Sequence, residues 1–495
     1  MIIKGFSVVE VLLAGAVLGL LATAFGGAII YGQEGAALSG ARARAQNLAE
    51  EGLEAARNIR DSGYTNLTDG TYGLAISGGQ WTFSGASDTT GIFTRSIIIS
   101  AVDDNEKSVT SSVTWQQTAQ RSAQVDLDTY LSDWSAVQPN PGTKIAYYDA
   151  TNTNFKYASC VSGCTSAGNW TIITLDSTGT VGAWPSIAHN NGKPRISYRD
   201  TTNTNLKYAS CDTSCTSAGN WTLTAVNPSG DEGRWTSMAL YQGKPRVAYY
   251  DITNTGLKYA SCESSCSTAG NWTRVNVDTV NNVGEYTSIT LDGDKPRISY
   301  YDTTNDNLRY ASCESSCTSA SNWTTVAIDS AGTVGAWNSI ALDAGKPRIS
   351  YFDTTNTNLK YASCEGSCTT ASNWTLITVD STDSPGQWTS LQLDGAKPRI
   401  SYYEATNGNL KYASCESSCT SAGNWTATSV NTINDVGEYT SIALDSGKPR
   451  ISYYDATNGN LRYASCESSC TSIGNWTRTT IDSVGTVGQY TSINR

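Results

Sequence analysis

Apolar residues dominate the start of the chain, and residues 6–32 contain a single charged side chain, that of Glu10. An apolar run of this length can cross a bilayer as a helix. Beyond it, apolar positions recur at helical spacing, with charges mostly on the opposite side: Ala49, Leu53, Ala56 and Ile59. Ser62 and Gly63 interrupt this pattern. The sequence therefore predicts one long helix over residues 6–61, with residues 6–32 in the membrane.

The next segment, residues 62–130, changes to short runs of β-forming residues separated by Gly, Asp and Asn. These runs predict a small antiparallel sheet. They cover residues 70–77, 80–85, 93–102, 107–115 and 124–131. Residues 131–142 contain two prolines and no clear element, so they predict a linker.

From residue 143 to residue 495 the chain repeats one 51-residue unit seven times, without insertion or deletion. Each unit carries four strand patterns. In one copy they cover Trp337–Asp343 (strand A), Pro347–Asp353 (strand B), Asn358–Ser363 (strand C) and Asn373–Asp380 (strand D). Seven repeats of four short strands predict a seven-bladed β-propeller. The fold class is thus mainly β with a long N-terminal α-helix: an α+β domain followed by the propeller.

The phase of the repeat predicts how this propeller closes. The first unit begins directly with strand B at Lys144, and the last six residues, 490–495, repeat strand A. The final strand is therefore expected to complete the first blade. Residues 134–137 offer a weaker copy of strand A as an alternative.

Composition narrows the class of protein. The formal charge is −11, only 16% of residues are charged, and no basic stretch could follow a phosphate backbone, so nucleic acid is not an expected partner. Ser, Thr, Asn, Gly and Tyr are abundant, whereas the chain has two Met and one His, His189. This composition is typical of a hydroxyl-rich extracellular surface.

The 14 cysteines all fall in Cys-x-x-x-Cys pairs, one pair per repeat. This regular, even set favours disulfides and an oxidising compartment. Zinc is the alternative, but a closed site needs four N or S ligands, and successive pairs lie a whole repeat apart. No metal ligands are assigned. The expected disulfides are Cys160/Cys164, Cys211/Cys215, Cys262/Cys266, Cys313/Cys317, Cys364/Cys368, Cys415/Cys419 and Cys466/Cys470.

The N-terminal residues Lys4-Gly5-Phe6-Ser7-Val8-Val9-Glu10 resemble the processing site of type IV pilins and of the pseudopilins of type II secretion. The resemblance implies a leader of residues 1–5, cleavage by a prepilin peptidase between Gly5 and Phe6, and N-methylation of Phe6. It also implies that Glu10 pairs with the N-terminal amine of a neighbouring subunit, which would neutralise two charges that are costly in lipid. A signal peptide and a plain membrane anchor are the alternatives, and the carboxylate of Glu10 argues against both.

The turns between strands B and C mostly read Asp-x-Thr-Asn-x-Asn. Turn capping by Asp and Asn is the simplest interpretation, with calcium binding or a ring of sugar-binding groups as alternatives. No cofactor is assigned, although calcium remains an open alternative. The leading residues are Asp149, Asp200, Asp251, Asp302, Asp353, Glu404 and Asp455.

The connections from strand D to strand A vary most between repeats, and each ends in an aromatic residue: Trp184, Trp235, Tyr286, Trp337, Trp388, Tyr439 or Tyr490. These residues either pack between blades or stack on sugar rings. Arg234, Glu285, Gln387 and Glu438 flank them and could add polar contacts. Variable loops over a constant scaffold are typical of a binding surface.

Three functions are compatible with these patterns. The first is a minor or tip pilin that acts as an adhesin or glycan-binding module. The second is a structural subunit, either a major pilin or a secretion pseudopilin. The third, a tethered carbohydrate-active enzyme resembling sialidase-type propellers, is disfavoured because nearly identical blades provide no distinct acid, base or nucleophile. We therefore expect no catalytic residues.

The expected location follows from the resemblance to pilins. The precursor would reside in the inner or cytoplasmic membrane, and the mature protein in an extracellular filament or on the cell surface. The expected partners are other pilin subunits through the N-terminal helix, the prepilin peptidase, the membrane before assembly, and an extracellular glycan or protein.

Overall fold

The structure is a computed structural model that describes residues 39–103, 106–118, 121–133, 142–227 and 230–495. The chain divides into two compact units, residues 1–138 and 139–495. Each unit is described by itself. The predicted cleavage site at Gly5 and Phe6, the predicted assembly residue Glu10 and the predicted membrane span all lie outside the described residues.

The N-terminal unit contains a helix, α1, described from residue 39 to residue 62, one residue past its predicted end. A 3₁₀ turn at Tyr64–Asn66 follows it. The residues predicted to share one face of α1 are buried, with Ala49 and Ala56 fully inaccessible to solvent. None of the helices in the described ranges is long and apolar enough to cross a membrane.

An antiparallel sheet provides the other side of this small core, in the order β2-β1-β4-β5-β6 with β3 beside β4. Its core joins Leu53 and Ile59 of α1 to Ile97, Val109 and other buried sheet residues. The short strand β3 was not predicted from the sequence. Strand β6 continues two residues into the segment predicted as a linker. The strands are β1 (Gly70–Ser77), β2 (Gln80–Ser84), β3 (Asp88–Thr90), β4 (Phe93–Asp103), β5 (Glu106–Thr118) and β6 (Arg121–Ser132).

The second unit consists of seven four-stranded antiparallel sheets, as the repeats predict. Blade 1 begins at Thr143, and blades 2 to 7 follow along the chain. Strands A of blades 2 to 7 are Val181–Asn190, Glu232–Tyr241, Val283–Asp292, Val334–Asp343, Pro385–Asp394 and Val436–Asp445, and strand A of blade 1 is Val487–Asn494. Strands B of blades 1 to 7 are Thr143–Asp149, Lys193–Asp200, Lys244–Asp251, Lys295–Asp302, Lys346–Asp353, Lys397–Glu404 and Lys448–Asp455.

The two outer strands of each blade follow the same order. Strands C are Asn154–Cys160, Asn205–Ser210, Gly256–Cys262, Asn307–Cys313, Asn358–Cys364, Asn409–Cys415 and Asn460–Cys466. Strands D are Thr171–Asp176, Thr222–Ala225, Trp272–Asp278, Trp323–Asp329, Trp374–Asp380, Trp425–Asn431 and Trp476–Asp482. A 3₁₀ turn precedes each strand D, at Ala167–Asn169, Ala218–Asn220, Ala269–Asn271, Ala320–Asn322, Ala371–Asn373, Ala422–Asn424 and Ile473–Asn475.

The ring closes as the phase of the repeat predicts. The last strand, Val487–Asn494, pairs with the first strand B, with Ile493 opposite Ile145. A circle of hydrogen bonds also joins successive strands A: Ile340 N donates to Ser288 Oγ of the preceding blade at 3.1 Å, and Ile187 N donates to Ser492 Oγ across the closure at 3.2 Å. Strands A therefore surround the axis, and the seven sheets form a closed β-propeller.

The hydrophobic core of this unit lies between neighbouring blades. One cluster joins Leu308 and Tyr310 of blade 4 to Ile349, Tyr351 and Trp374 of blade 5. Equivalent clusters recur around the ring, including one that joins blade 7 to blade 1 across the closure. Each blade is therefore buried on both faces by its neighbours, and the ring has no open end that needs capping.

Candidate functional site

The site begins with a Gly-x-aromatic sequence near the start of every strand A. In blade 5, the pairing with strand B is irregular on both sides of Ala336. Gly335 has a φ of +108°, and a Cβ atom there would lie 2.6 Å from the Cα atom of Leu308 in the neighbouring blade. Only glycine fits this close approach. Strand A was predicted to start at Trp337, but the glycine bulge lets it start three residues earlier, at Val334.

The aromatic residue that follows each bulge has a left-handed backbone. The φ of Trp337 is +47°, and bulky residues adopt such values only at a cost of about 1–3 kcal/mol. The same conformation recurs in all seven blades, where φ lies between +47° and +53° for Trp184, Trp235, Tyr286, Trp337, Trp388, Tyr439 and Tyr490. We call these seven residues the collar.

The collar is a continuous circle of aromatic rings around the propeller axis. Neighbouring ring centroids are 4.7 to 5.7 Å apart, and the circle closes between Tyr490 and Trp184 at 4.9 Å. Interplanar angles of 47° to 57° bracket the angle of about 51° that separates blades in a sevenfold ring. The ring planes therefore run parallel to the propeller axis. Each ring packs against its two neighbours and remains partly exposed to solvent.

The residue after each aromatic explains why the aromatic side chain faces the axis. This next residue is buried, and in five of the seven blades its side chain shares a hydrogen bond with the neighbouring blade: Thr491 donates to Ser452 Oγ at 2.7 Å and Thr440 donates to Ser401 Oγ at 3.0 Å. Because side chains alternate along a strand, the aromatic side chain is directed elsewhere. The collar and these next residues line an open axial cavity of about 410 Å³.

The structure thus brings together all seven aromatics that the sequence singled out as ligand-binding candidates. The two interpretations of these residues are not exclusive, because the rings pack on one another and also line the cavity. Arg234 lies with them: its guanidinium carbon is 5.7 Å from the ring centroid of Trp184 and 5.9 Å from that of Trp235. Both distances are in the range of cation–π attraction.

The residue between the glycine and the aromatic differs most from blade to blade, and two of these residues are acidic. Burial raises the pKa of Glu285, and the charge of Arg234 partly offsets the rise. Burial also raises the pKa of Glu438, together with the nearby carboxylate of Asp435. We call the whole set the rim: Ala183, Arg234, Glu285, Ala336, Gln387, Glu438 and Gln489.

The cysteine pairs occupy the other end of the blades. Gln489 of the rim pairs opposite Tyr148, whereas Thr143, where strand B begins, pairs opposite Cys160. All 14 cysteines are in the described part of the chain, none is free, and the seven predicted disulfides are present: Cys160–Cys164, Cys211–Cys215, Cys262–Cys266, Cys313–Cys317, Cys364–Cys368, Cys415–Cys419 and Cys466–Cys470. Seven disulfides suggest an extracellular or periplasmic protein.

The recurrent Asn-Trp-Thr segment clamps each disulfide loop. In blade 5, Trp374 Nε1 donates to the carbonyl of Cys368 at 2.9 Å, and Asn373 Nδ2 donates to that of Ser367 at 3.1 Å. The arginine of strand B lies nearby, and Arg348 contacts Asp343 at 3.1 Å and Glu365 at 2.8 Å. These side chains support the blade.

The carboxylates of the B–C turns act as turn caps. In blade 5, Asp353 accepts bonds from the backbone N–H of Asn356 at 2.9 Å and from its side-chain amide at 3.0 Å. This is the capping geometry expected of an Asp-x-x-Asn turn. Within the residues that the structure describes, no group of three or more His, Cys, Asp or Glu side chains is arranged to hold a metal ion.

Four of the seven blade junctions contain a buried polar group that the sequence did not reveal. Tyr351 donates to Asp329 Oδ2 of the preceding blade at 2.7 Å, and Lys360 Nζ lies 2.5 Å from the same oxygen. We call this Tyr–Asp–Lys arrangement the latch. At the other three junctions the equivalent tyrosine contacts Glu232, Asp278 beside Arg309, or Asn431. The recurrence of these residue types at a 51-residue period was the available signal, but periodicity alone does not show contact.

No family model matches the chain, and no curated protein matches it. Among solved structures, it is similar to an alpha-L-arabinofuranosidase from Clostridium thermocellum, with 12% identity, a TM-score of 0.30, and coverage of 50% of this chain and 94% of that chain. It is also similar to an auxiliary nutrient binding protein from Bacteroides thetaiotaomicron, with 7% identity, a TM-score of 0.35, and coverage of 69% and 80% respectively. Similarities this distant carry no argument about what the chain binds or does.

Proposed function

We propose that this chain is a pilin-like surface protein whose propeller acts as an adhesin and binds an extracellular glycan in the axial cavity. The observation that carries the proposal is the collar. Seven aromatic side chains, each on a left-handed backbone, surround one open cavity of about 410 Å³. Known small-ligand pockets have volumes of about 300–1,000 Å³.

The chemistry of the collar suits a sugar. One face of a pyranose presents C–H groups, which carry slight positive charge, and the face of an aromatic ring carries the negative part of its quadrupole. Four tryptophans and three tyrosines offer such surfaces around the axis. Strained backbone conformations persist where the surrounding structure enforces them, and they cluster at functional sites. Seven strained aromatics at one end of the propeller fit that pattern.

The cavity lining supports binding rather than catalysis. The residues that line it are Trp, Tyr, Thr, Asn and Pro. Burial raises the pKa of Tyr286 to about 12 and also raises the pKa of Tyr439 and Tyr490, so these phenols stay protonated at neutral pH. They are therefore poor general bases. A hydrolysis assay on any glycan that binds would test this: release of reducing ends would contradict the proposal of a binding protein.

The binding proposal can be tested on residues 139–495 alone. This unit closes on its own last strand and its core clusters lie between its own blades, so it should fold independently. We expect binding on a glycan array, lost when Trp184, Trp235, Trp337 and Trp388 are all replaced by alanine. Replacing the same four by tyrosine is the matched control, because three blades already carry tyrosine there. Failure of the wild-type unit to bind any glycan would contradict the proposal.

The pilin-like part of the proposal rests on two observations. One is the sequence from Lys4 to Glu10, and the other is an N-terminal unit in which a helix packs against an antiparallel sheet. The proposed partners are a prepilin peptidase, other pilin subunits and the membrane before assembly. N-terminal sequencing of the mature protein should begin at methylated Phe6, and Glu10→Gln should reduce incorporation into filaments without blocking cleavage. A mature protein that still begins at Met1 would contradict the proposal.

The position of the protein in a filament separates an adhesin from a structural subunit. Immunogold labelling of the propeller should decorate filament ends or a few sites. Dense labelling along the whole filament would instead identify a major subunit, and trace amounts confined to the envelope would favour a secretion pseudopilin.

A further inference from the structure

Arg234 is a departure from the near-sevenfold symmetry of the propeller, and it lies in the rim beside the collar. The equivalent rim residues are alanine, glutamine or glutamate in the other six blades, so Arg234 is the only cation in the rim. Its guanidinium approaches the rings of Trp184 and Trp235, which belong to two neighbouring blades. Burial raises the pKa of Tyr490 and the charge of Arg234 opposes that rise, so the arginine also acts on a third blade. Arg234 therefore lies beside collar rings of three blades, next to the residues that line the axial cavity but not among them.

Arg234 forms no side-chain hydrogen bond with another residue that the structure describes. Its Nε atom is buried without a hydrogen-bond partner, and no ion pair among the described residues includes Arg234. The arginines at the disulfide end behave differently: Arg348 donates to the carbonyl of Cys364 and contacts two carboxylates. A guanidinium carries five N–H donors, and a buried donor without an acceptor is costly. The terminal nitrogens of Arg234 are not among the buried unpaired atoms, so they are the groups that a ligand carboxylate would contact.

We propose that the glycan bound in the cavity is an acidic one, whose carboxylate pairs with Arg234 while the sugar ring packs on Trp184 and Trp235. This inference rests on the proposed function and names the class of ligand. Arginine holds a carboxylate through two parallel N–H···O bonds, which gives orientation as well as affinity. In a uronic acid the carboxylate lies beside the apolar face of the sugar ring. The guanidinium of Arg234 likewise lies beside the indoles of Trp184 and Trp235, so the two arrangements are complementary.

The surrounding charges define the orientation of such a ligand. A cationic ligand would compete with Arg234 for the faces of Trp184 and Trp235, and like charges there would repel. Glu438 belongs to blade 7, on the other side of the ring from Arg234 in blade 3. Glu285 of blade 4 lies on the other side of Arg234 from blade 2 and interacts with its charge. The acidic end of the ligand therefore points toward blades 2 and 3 and away from both Glu285 and Glu438. The chain has a formal net charge of −11, which disfavours anions in general. The single cation of the rim provides a local positive charge to which an anion can bind.

The experiment compares matched pairs of probes on residues 139–495. The array carries uronic-acid-terminated oligosaccharides, each beside its methyl ester, which has the same skeleton but no charge, together with glucosamine oligomers as cationic probes. We expect binding to the free acids, with the methyl esters at least about tenfold weaker. Equal binding of acid and ester, or preference for the glucosamine oligomers, would overturn the acidic-ligand inference while leaving the glycan-binding function standing. Binding to none of these probes, with binding to neutral glycans on the wider array, would overturn the acidic-ligand inference alone; binding to no glycan of any class would overturn both.

Variants then assign the preference to Arg234. Arg234→Gln introduces the residue that blades 1 and 6 already carry at this position, so the fold should tolerate it. It should remove the difference between acid and ester without abolishing ester binding, whereas a general structural defect would weaken both probes. Lys193→Gln removes a charge of the same sign at the disulfide end of the blade, away from the collar, and should leave the preference intact. An unchanged preference in Arg234→Gln would overturn the assignment.

Discussion

Tyr147 donates a hydrogen bond to Asp482, 335 residues later in the chain, with an O···O distance of 2.8 Å. Lys156 contacts the same carboxylate at 2.5 Å. This is the latch that joins blades inside the ring, here formed between the first and last repeats. The closure therefore has the same buried polar contacts as an ordinary blade junction, in addition to its strand pairing.

We predict that Asp482→Asn destabilises the propeller by about 1–3 kcal/mol, because the partly buried Lys156 loses its closest charge partner while the amide keeps the volume of the side chain. Asp329→Asn, at the junction of blades 4 and 5, should cost a similar amount. Urea unfolding of residues 139–495 measures both. Lys397→Gln, which removes an exposed pair with Glu416, is the control and should change stability by about 0–1 kcal/mol. Equal effects of all three variants would contradict a role for the latch.

The latch also shows what the sequence could not reveal. The repeat period and the strand patterns were enough to predict seven blades, four strands in each and closure by the last strand. The tyrosine and the aspartate of one latch lie 22 residues apart and in different blades. Contact between them depends on the distance and angle between neighbouring blades, which arise from packing and leave no local pattern.

The glycine of the bulge gives a second prediction. At Gly335, a methyl group would collide with the backbone of Leu308, and the φ of +108° is unfavourable for alanine. We expect Gly335→Ala to lower the free energy of unfolding by about 2–4 kcal/mol. Gly366→Ala, where nothing lies within 4 Å of the added carbon, is the matched control and should be nearly neutral. Thermal unfolding of both variants checks the difference, and two equal melting temperatures would contradict the close approach.

The latch aspartates predict loss of stability in acid. Burial would raise the pKa of Asp176, but bonds from Lys207 and from the backbone N–H of Thr178 more than offset this, and the pKa is lowered. The pKa of Asp380 is lowered in the same way, by Lys411 and Tyr402. A lowered native pKa contributes stability above the unfolded value of about 3.9, and this stability is lost as pH falls through the native value.

Unfolding free energy should therefore hold from neutral pH to about pH 4 and fall steeply below it. Asp176→Asn should lower stability at pH 7 and flatten the acid slope. The measurement is urea unfolding at a series of pH values. A variant with the same acid slope as the wild type would show that this latch is not among the groups that titrate.

Each disulfide should stabilise mainly the loop that it closes. Each closes a loop between cysteines four residues apart, and the chain-entropy estimate for so short a loop is about 2 kcal/mol. Replacing Cys364 and Cys368 by serine should lower stability by about that amount and leave the blade folded, because the bond from Trp374 Nε1 remains available. Amide exchange should increase mainly in the loop between strands C and D of blade 5. Global unfolding of the double variant would contradict this.

The candidate site was only partly predictable. Loop variability and the recurrent aromatic identified all seven collar residues and Arg234, yet the sequence left open whether these rings pack between blades or face a ligand. The position of the rings beside the axial cavity depends on the backbone. The left-handed conformation of Trp337 depends on Gly335 approaching Leu308 of the neighbouring blade, and a single repeat does not contain that neighbour.

The rim carboxylates predict how binding depends on pH if the ligand is acidic. Burial raises the pKa of both Glu285 and Glu438 above the ordinary glutamate value. As pH falls from 7, these groups gain protons before exposed carboxylates do, and the rim loses negative charge while Arg234 stays charged. Affinity for a uronic-acid-terminated oligosaccharide should therefore rise between pH 7 and the raised glutamate pKa values. It should fall again only when the carboxylate of the sugar itself is protonated.

Replacing Glu285 and Glu438 by glutamine isolates this effect. The double variant should bind the acidic probe more tightly than the wild type at pH 7 and should lose the rise in affinity on mild acidification, because its rim is already neutral. The methyl ester of the same probe is the control, since an uncharged ligand does not sense the rim charge and its affinity should not change with pH. Titration calorimetry at several pH values measures all three. An acidic probe whose affinity falls steadily from pH 7 downward would contradict the effect assigned to the rim carboxylates.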